Sequence, residues 1–455
     1  MKKFHCGLLS EKDSGKQVEL FGWVRGKRGH AGLIFIDLAD RSGIVQLVVE
    51  KKSKAFPIAE KLMFEFVARV KGKVKKRMKD NPNLATGKIE IEVEEIEILN
   101  ESEPLPFEIV DNVKANEDTR LKYRYLDLRR PVMQSNLLLR HNIVKAIREF
   151  FYAQNFIEIE TPIFTKSTPE GARDYIVPSR PYPGKIWALP QSPQIYKQLL
   201  MVSGFERYFQ IAKCMRDEDL RGDRQPEFSQ LDLEMSFVEQ EDVFNLIEDL
   251  MKKLFKEVLG KDLKTPFPRM SYADAMKKYK SDKPDTRNES KQEFSFLWVV
   301  DFPLFQFNEE EKKIVSEHHP FTTPKKEDIK FLEKEPLKVR STSYDLVMNG
   351  IELGSGSIRI HDSKLQAKIF KTLGLTDAET QTKFGHLMTA FKYGAPPHGG
   401  IALGLDRFIM LLAKQESIRD VIAFPKNGRG IAMLEDAPSI PDKKQLDELG
   451  LQWKK

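Results

Sequence analysis

The sequence predicts an α+β protein with two domains, a small N-terminal β-barrel and a larger domain built on an antiparallel sheet flanked by helices. Three observations carry this prediction. Five short strand-like segments occupy the first hundred residues. A proline-containing stretch at 104–106 then interrupts the pattern. Residues 136–455 mix helical and strand-like periodicity, which is typical of an α+β domain.

Composition is compatible with two or three domains, each with its own core. The chain has 455 residues, of which 40% are hydrophobic, and its net charge of +6 gives a weak preference for polyanions. Cys6 and Cys214 are far apart and lack metal-ligand spacing, so we expect a reducing cytoplasm. No apolar run has membrane-spanning length and no signal peptide is visible, so no membrane association is expected.

The five expected strands of the first domain are 18–24, 33–38, 44–49, 64–70 and 88–93. A helical piece near 54–63 separates the third from the fourth, which is the order of a five-stranded OB-type barrel. We assign 1–105 to this domain and 106–135 to a hinge. Residues 69–79 carry seven basic side chains and no acidic one. A lysine-rich edge strand can serve solubility alone, but on this barrel we favour a track for a nucleic-acid backbone.

The larger domain is expected to begin with a helix, since Ile143, Ile147, Phe150 and Phe151 share one helical face. Farther on, a charged segment at 216–232 has strand-like sequence on both sides. In the second stretch, apolar residues at 231, 233 and 235 alternate with polar residues at 230, 232 and 234. This pattern predicts one buried and one polar face. Guanidinium and carboxylate groups placed together over a sheet suit ATP-dependent chemistry.

Several segments, in this order, resemble the class II aminoacyl-tRNA synthetases, and among them the bacterial-type aspartyl-tRNA synthetases. Residues 136–162 resemble the first class motif, Arg216-Asp-Glu-Asp-Leu-Arg-Gly-Asp-Arg-Gln-Pro-Glu-Phe228 the second in its aspartyl form, and Gly399–Arg407 the third. Further matches lie at 123–129, 167–174, 191–199 and 384–407. The resemblance covers nearly the whole chain. It implies an anticodon-binding domain at 1–105, a catalytic domain at 136–455 and a homodimer formed through the first motif.

One departure concerns an insertion. Bacterial-type members usually carry an inserted domain within the catalytic domain, whereas here Ser281–Arg287 leads almost directly to Phe296–Pro303. Only a short polar linker, about 288–295, occupies that place. The matching catalytic segments lie on both sides of it, so we expect the chemistry to be retained.

The resemblance implies that the chain attaches L-aspartate to tRNA-Asp through an aspartyl-adenylate, with ATP as substrate and Mg²⁺ as cofactor. Alignment and charge neutralisation carry such a reaction, which explains the lack of a nucleophile triad. The implied catalytic residues are Arg216, Glu218 and Arg407. The implied ATP-binding residues are Arg216, Glu218, Gln225, Glu352 and Arg407, and the implied magnesium ligands are Asp345 and Glu352. For Arg407 the alternative is a capping ion pair with Asp406.

The implied aspartate-binding residues are Glu170, Ser192, Gln194, Lys197, Asp232, Arg359 and His318. A guanidinium fork at Arg359 and a second cation at Lys197 match a carboxylate, whereas asparagine would leave both buried cations underpaired. Glu352 and Arg359 are seven apart, so a regular strand would place them on opposite faces. A bulge at 354–356 could bring both to one site. For His318 and His319, a place near the substrate and a packing role remain open.

The implied anticodon-contacting residues are Arg28, His30, Phe35, Gln46, Lys75, Arg77 and Glu90. Phe35 suits base stacking, with barrel core as its alternative, and Gln46 suits the edge of a base. His30 stands where enzymes restricted to tRNA-Asp commonly carry leucine and relaxed enzymes commonly carry histidine. We therefore hypothesise that tRNA-Asn is a second substrate.

Three alternatives remain open. An asparaginyl- or lysyl-type synthetase would share the class motifs but not the aspartyl form of the second motif or the Lys197 and Arg359 pair. A catalytically inactive RNA-binding paralogue would tend to lose the phosphate-binding arginines. An adenylate-forming ligase that does not use tRNA would not need residues 1–105.

Overall fold

The computed structural model describes residues 4–167, 171–310 and 312–452. The chain divides into two compact units, Met1–Lys114 and Ala115–Lys455. Residues 115–135, which the sequence analysis placed in a hinge, belong to the second unit and form helical structure there.

The first unit is a closed five-stranded barrel, which confirms the predicted OB-type fold. Its elements are β1 (Gln17–His30), β2 (Leu33–Asp40), β3 (Gly43–Glu50), α1 (Phe56–Lys61), β4 (Val67–Lys76) and β5 (Ile89–Asn100). The strand order is β1-β2-β3-β5-β4, with β3 and β5 parallel and the other neighbours antiparallel. Residues that alternate along β1, namely Val18, Leu20 and Val24, fill the barrel core, as half-buried strands require.

Several strand ends differ from the expectation: β4 and β5 continue to Lys76 and Asn100, and the end of β1 and the start of β4 also move. β1 continues to His30 because it pairs with β2 through a tight connection at Ala31 and Gly32, both of which have positive φ. β4 begins only at Val67, since Phe64 is exposed and Glu65 adopts a left-handed conformation (φ 63°).

Basic residues of β4 form ion pairs with acidic residues of the neighbouring β5. Lys71 pairs with Glu95 (3.1 Å), and Lys75 pairs with Glu92 on the neighbouring β5. Arg69 likewise contacts Glu97 at 2.8 Å. Acidic residues of β5 therefore offset part of the charge that we expected to follow a nucleic-acid backbone.

The second unit contains a mixed sheet, smaller hairpins and helices. In chain order its elements are α2 (Glu117–Lys122), α3 (Arg124–Asp127), α4 (Pro131–Ala153), β6 (Ile157–Glu158), β7 (Ile176–Pro178), β8 (Ile186–Ala188), α5 (Gln194–Val202), β9 (Arg207–Met215), β10 (Glu227–Ser236), α6 (Gln240–Leu254), β11 (Arg269–Ser271), α7 (Tyr272–Tyr279), α8 (Arg287–Ser290), β12 (Phe296–Val300), β13 (Phe305–Asn308), β14 (Lys313–Ser316), β15 (Ser343–Met348), β16 (Ile351–Ile358), α9 (Ser363–Thr372), α10 (Asp377–Phe391), β17 (His398–Gly404), α11 (Leu405–Leu412) and α12 (Lys443–Leu449).

The main sheet has eight strands in the order β11-β12-β15-β16-β17-β10-β9-β6. Its central strands are antiparallel, as predicted, whereas the two edge strands, β11 and β6, run parallel to their neighbours. Side chains of α4, α6 and α11 cover one face. The predicted helical face at 143, 147, 150 and 151 is buried in this core.

The strand β10 is buried on both faces. Leu231 and Leu233 enter the hydrophobic core, but Asp232 and Glu234 on the other face are also 0% exposed. The alternation therefore identified the two faces correctly, but the polar face is the floor of a cavity and is not solvated.

A bulge lies where β15 and β16 pair. Leu346 is opposite Gly354 while Val347 is opposite Glu352, so Leu353 is the extra residue. The inserted residue reverses the parity of the strand, which explains how Glu352 and Arg359 reach one cavity. The bulge begins one residue before the predicted 354–356 segment.

The polar linker at 288–295 closes on itself. The hydroxyls of Thr286 and Ser295 lie 2.7 Å apart, and the short helix α8 follows Thr286 directly in the segment between them. Ser295 is also held through its backbone N–H by Asn349 (2.8 Å). Among the residues that the structure describes, no helix is long and apolar enough to cross a membrane.

Candidate active site and nucleic-acid interface

A cavity of about 600 Å³ opens on the second unit. Strands β10, β16 and β17 contribute its floor, and the loop between β9 and β10 contributes one wall. The predicted site residues that line it are Ser192, Gln194, Lys197, Arg216, Glu218, Gln225, Asp232, His318, Glu352, Arg359 and Arg407. Residues far apart in sequence are thus brought to one place. Glu170 lies outside the described residues.

A buried cluster of two cations and two carboxylates forms the deep end of the cavity. Lys197 Nζ lies 2.6 Å from Asp232 Oδ1 and 3.3 Å from Glu234 Oε2. Arg359 binds Glu234 through Nε (2.9 Å) and Nη2 (3.1 Å). All four residues are at most 1% exposed, so solvent screens these charges little.

The carboxylates of this cluster differ in their pKa. Burial raises the pKa of Asp232 above its ordinary value, although Lys197 opposes the effect. Burial acts in the same direction on Glu234, but Arg359 and Lys197 outweigh it and hold the pKa of Glu234 below its ordinary value. Glu234 therefore provides the firm negative charge beneath the two cations.

The guanidinium of Arg359 already uses its fork within the protein. Besides Glu234, its Nη2 donates to Gly400 O (3.3 Å), and its Nη1 donates to Ser357 Oγ (2.6 Å) and lies 2.7 Å from His319 Nε2. Desolvation and the Arg359 cation hold the pKa of His319 well below its ordinary value, so this ring is neutral. Glu234 therefore occupies the two-nitrogen edge of the guanidinium that we expected to bind the substrate carboxylate.

Two buried polar atoms of the cluster region have no hydrogen-bond partner among the described residues. They are Asp232 Oδ2, an acceptor, and Gln194 Nε2, a donor. Buried polar atoms are nearly always paired because an unmade hydrogen bond costs about 1–3 kcal/mol. A ligand carrying both a cationic donor and an acceptor would satisfy both atoms.

Two arginines stand at the other end of the cavity. Arg216 donates from Nε to Gln191 O (3.3 Å), and its guanidinium lies over the ring of Phe228 at 5.2 Å. Arg407 donates to Glu352 O (2.8 Å) and pairs with Asp223 (3.2 Å). Guanidinium ions are groups that can bind phosphate through two parallel N–H donors.

Asp406 has a partner other than Arg407. Its carboxylate pairs with Arg140 of α4 and accepts a hydrogen bond from Ser229 N (2.7 Å). Among the described residues, no ion pair joins Asp406 to Arg407, so the alternative role considered for Arg407 is not observed. Asp406 instead connects α11 to α4 and β10.

The predicted adenine-side residues have mixed surroundings. Glu218 pairs with Arg224 at 3.1 Å on the cavity wall. The side-chain amide of Gln225 is used in both directions by the backbone of Lys426, with distances of 3.0 and 2.8 Å. Gln225 thus positions the segment at 426 in addition to lining the cavity.

The proposed magnesium ligands lie near each other. Glu352 lines the cavity, and its Oε2 is 2.8 Å from Lys283 Nζ. Asp345 is buried and does not line the cavity; its Oδ1 lacks a hydrogen-bond partner among the described residues and lies 3.4 Å from His318 Nε2. Burial raises the pKa of Asp345. Hard carboxylate oxygens in this arrangement suit Mg²⁺, which binds one or two carboxylates together with substrate phosphates.

No group of three or more metal-ligating side chains occurs within ranges 4–167, 171–310 and 312–452. A protein-only cage is thus not formed by these residues. Two carboxylates alone would leave the remaining ligand positions to substrate oxygens and water.

The barrel brings together most of the predicted anticodon residues. Gln46 Oε1 accepts from Arg28 Nη2 (2.8 Å) and Arg77 Nη2 (2.5 Å), while its Nε2 donates to Glu90 (3.2 Å). Burial raises the pKa of Glu90. Phe35 is half-buried, carries Arg28 over its ring at 6.0 Å and lies outside the barrel core cluster. Its position on the outer surface favours stacking over a core role.

Lys75 lies opposite Glu90 across β4 and β5, next to this network, whereas no contact joins His30 to it among the described residues. His30 is exposed at the end of β1, and Lys75 is engaged by Glu92. Three cavity-lining residues with charged partners were not predicted, namely Asp223, Arg224 and Lys283, and neither was Glu234, which pairs with Lys197 and Arg359. Glu234 could have been found from the sequence, because it is two residues from Asp232 on β10 and therefore shares its face of the sheet.

Family models match both units. Residues 116–428 match the tRNA synthetases of class II (D, K and N), and residues 18–99 match the OB-fold nucleic acid binding domain. The larger unit therefore has the class II synthetase architecture, whose members use ATP as substrate.

Relatives cover almost the whole chain. A protein of Dictyoglomus turgidum named aspartate–tRNA(Asp/Asn) ligase is 46% identical, covering 99% of this chain and 98% of the relative. A Macrococcus caseolyticus protein named aspartate–tRNA ligase is 43% identical, with 98% of each covered. The chain belongs to the aspartate–tRNA ligase family. The first alignment spans 581 positions against a chain of 455 residues, so that relative carries considerable sequence without a counterpart here.

Solved structures share the fold. Asparaginyl-tRNA synthetase from Pyrococcus horikoshii, complexed with asparaginyl-adenylate, superposes with a TM-score of 0.77 at 22% identity, covering 93% of this chain and 98% of that one. Aspartyl tRNA synthetase from Entamoeba histolytica gives 0.74 at 23% identity, covering 91% and 90%.

Proposed function

We propose that this chain attaches L-aspartate to tRNA-Asp, and to tRNA-Asn as a second substrate, through an aspartyl-adenylate made from ATP. The observation that carries the amino-acid assignment is the buried cluster around Lys197 and Arg359. A carboxylate side chain complements these cations, whereas an amide would place its NH₂ against donors and leave charge underpaired, at a cost of about 1–3 kcal/mol or more.

The amino acid is held at both of its polar ends. The acceptor Asp232 Oδ2 suits the substrate ammonium, while Ser192 and Gln194 border the same part of the cavity. Lys197 and Arg359 face the side-chain carboxylate. Glu234 holds Nε and Nη2 of Arg359, and Nη1 has Ser357 and His319 as neighbours, so we propose that the substrate carboxylate replaces His319 at Nη1. We propose that Glu170 and His318 contribute further contacts.

The phosphate end of the cavity performs the activation step. An oxygen of the aspartate α-carboxylate bonds to the α-phosphorus of ATP, the bond to the bridging oxygen breaks, and pyrophosphate leaves with that electron pair. Arg216 stabilises charge on the α-phosphate and Arg407 holds the terminal phosphates. Glu218 and Gln225 border the nucleoside. A terminal ribose hydroxyl of tRNA then takes the aspartyl group and AMP leaves.

We propose Asp345 and Glu352 as the residues that hold magnesium. When bound there, Mg²⁺ would neutralise phosphate charge and help to orient the triphosphate. Asp345 Oδ1, which is buried without a hydrogen-bond partner among the described residues, supports this assignment.

The barrel is proposed to bind the anticodon. Phe35 offers a stacking face, and Gln46, fixed by Arg28 and Arg77, presents its amide at a defined angle. Glu90, Lys75 and His30 surround this surface as predicted contacts. The hypothesis of relaxed tRNA choice depends on His30.

We further propose a homodimer that works in the cytoplasm, where ATP and tRNA are available. Exposed apolar side chains at Leu138, Tyr152 and Ile157, on α4 and β6, support an interface on that side of the second unit. Light scattering during gel filtration would test the assembly.

The function is tested by aminoacylation with labelled aspartate on purified transcripts of tRNA-Asp and tRNA-Asn. Charging of both supports the full proposal, and charging of tRNA-Asp alone rejects the role given to His30. Preference for asparagine or lysine would assign the chain to another member of the class. If neither tRNA is charged and aspartate does not promote pyrophosphate exchange, the chain is a catalytically inactive paralogue.

A further inference from the structure

Lys283 places a third cation at the phosphate end of the cavity. Its Nζ lies 2.8 Å from Glu352 Oε2, and its side chain lines the cavity wall. Arg407 Nη1 donates a hydrogen bond to the backbone oxygen of the same glutamate (2.8 Å). The two cations therefore flank Glu352, one at the carboxylate and one at the main chain.

The segment that carries Lys283 is held in place by local packing. Ser281 Oγ accepts a hydrogen bond from Lys283 N (3.0 Å). Asp285 accepts a hydrogen bond from Arg287 and packs on the turn between β15 and β16 at Gly350. A Cβ at Gly350 would stand 3.1 Å from Asp285 Cβ, and its φ of +80° also favours glycine. The turn at Gly350 and the segment that carries Lys283 therefore lie against each other.

Several carboxylates surround Lys283, and Glu352, Asp282 and Asp345 all act on its ammonium. Asp345 and Glu317 lie in the same electrostatic neighbourhood as Glu352, and His318 contacts Asp345. A triphosphate brings still more negative charge to this end of the cavity. Positive groups that face it are therefore expected to bind phosphate oxygens.

We infer that Lys283 is a further catalytic residue, which binds the terminal phosphates of the nucleotide while remaining in contact with Glu352. The inference rests on the proposed function. An ammonium has three donors on a flexible stem, so one N–H can hold the carboxylate while another binds phosphate. As the α-phosphorus bonds to aspartate and the bridging oxygen leaves, charge grows on pyrophosphate, and Lys283 stabilises it there.

The same geometry has a consequence for metal binding. A cation 2.8 Å from Glu352 competes electrostatically with a divalent ion at that carboxylate. Removing the charge of Lys283 should therefore tighten binding of Mn²⁺, a spectroscopic substitute for Mg²⁺, to the protein without nucleotide. It should at the same time weaken binding of ATP and of pyrophosphate.

The test uses the full-length chain with Lys283→Met, which keeps the length of the side chain and removes its charge. We expect KM for ATP and for pyrophosphate to rise about tenfold, with KM for aspartate unchanged. Mn²⁺ titration followed by electron paramagnetic resonance should show about tenfold tighter binding. A variant with wild-type KM values, or with unchanged Mn²⁺ affinity, overturns the inference.

Two further variants complete the design. Lys278→Met is the matched control. Lys278 lies a few residues before Lys283 and forms an exposed ion pair with Glu289. This variant should match wild type in every measurement. Lys283→Arg keeps the charge, so its Mn²⁺ affinity should stay near that of wild type. It also supplies the test if the methionine variant fails to fold, since an Mn²⁺ affinity that shifts without loss of charge overturns the inference.

The wild-type protein separates the two levels of the proposal. Lack of aspartate-dependent pyrophosphate exchange in wild type would reject the proposed function. The Mn²⁺ titration of Lys283→Met would still decide whether Lys283 and a divalent ion compete at Glu352.

Discussion

Replacement of Lys197 by methionine is the sharpest test of amino-acid recognition. Lys197 is 1% exposed and contacts both Asp232 and Glu234. Without it, two buried carboxylates share only Arg359, so the cluster changes from neutral to one net negative charge. The side-chain carboxylate of aspartate would then approach a negative site.

The size of the effect follows from Coulomb's law. Two unit charges ~4 Å apart interact by about 4 kcal/mol at an effective dielectric constant near 20, which suits a buried site that can relax. Each 1.4 kcal/mol is tenfold in affinity, so Lys197→Met should weaken aspartate binding by about a thousandfold. ATP binding should change little, because Arg216 and Arg407 stand at the other end of the cavity.

The pH dependence has a definite sign. Lys197 lowers the pKa of Asp232 against the larger effect of burial, so its loss lets Asp232 take up a proton at higher pH. Protonation returns the cluster to neutrality. The binding defect of Lys197→Met should therefore be smaller at about pH 6 than at about pH 8.

The effect of Lys197→Met on KM for aspartate and for ATP is measured by pyrophosphate exchange at varied concentrations of each. Calorimetric titration with aspartate is a second readout. Lys252→Met, at an exposed pair on α6, is the control and should match wild type. A folded Lys197→Met protein whose KM for aspartate rises less than about tenfold would refute the electrostatic reasoning.

Three further predictions concern stability, tRNA choice and metal. Arg124→Met should lower the free energy of unfolding of the second unit by about 3–5 kcal/mol, since Asp127 loses a buried partner; thermal melts should show it, with KM for aspartate unaltered. His30→Leu should lower kcat/KM for tRNA-Asn about tenfold relative to tRNA-Asp, and an unchanged ratio in aminoacylation would reject the hypothesis. Chelation by EDTA should abolish pyrophosphate exchange, restored by Mg²⁺, without lowering Tm, because Asp345 and Glu352 alone do not form a structural cage.

Strand existence in the barrel was predictable because half-buried strands must alternate, and Val18, Leu20 and Val24 do so. Their ends were not. The terminal residues of β1 are polar and exposed, so hydrophobic alternation does not mark them, and the start of β4 depends on a left-handed Glu65. Strand pairing and turn conformation set these boundaries, and neither is visible in a single stretch of sequence.

The site was partly predictable for a different reason. Motif resemblance selected the residues, but not their partners. Arg359 is held by Glu234, by Ser357 and by His319, and these partners come from separate segments. Which nitrogen remains for substrate is therefore a property of the folded sheet. The parity problem of Glu352 was recognised from sequence, yet only strand pairing locates the extra residue at Leu353.

The contact between the hydroxyls of Thr286 and Ser295 makes the linker a natural point of attachment for foreign protein. Both ends of the connection lie together, so a guest domain whose own termini are close could replace the residues between them without stretching the sheet. The segment bearing Lys283 lies just upstream. A fluorescent guest at this point would therefore be coupled mechanically to the phosphate end of the cavity, which suggests an engineered reporter of nucleotide occupancy.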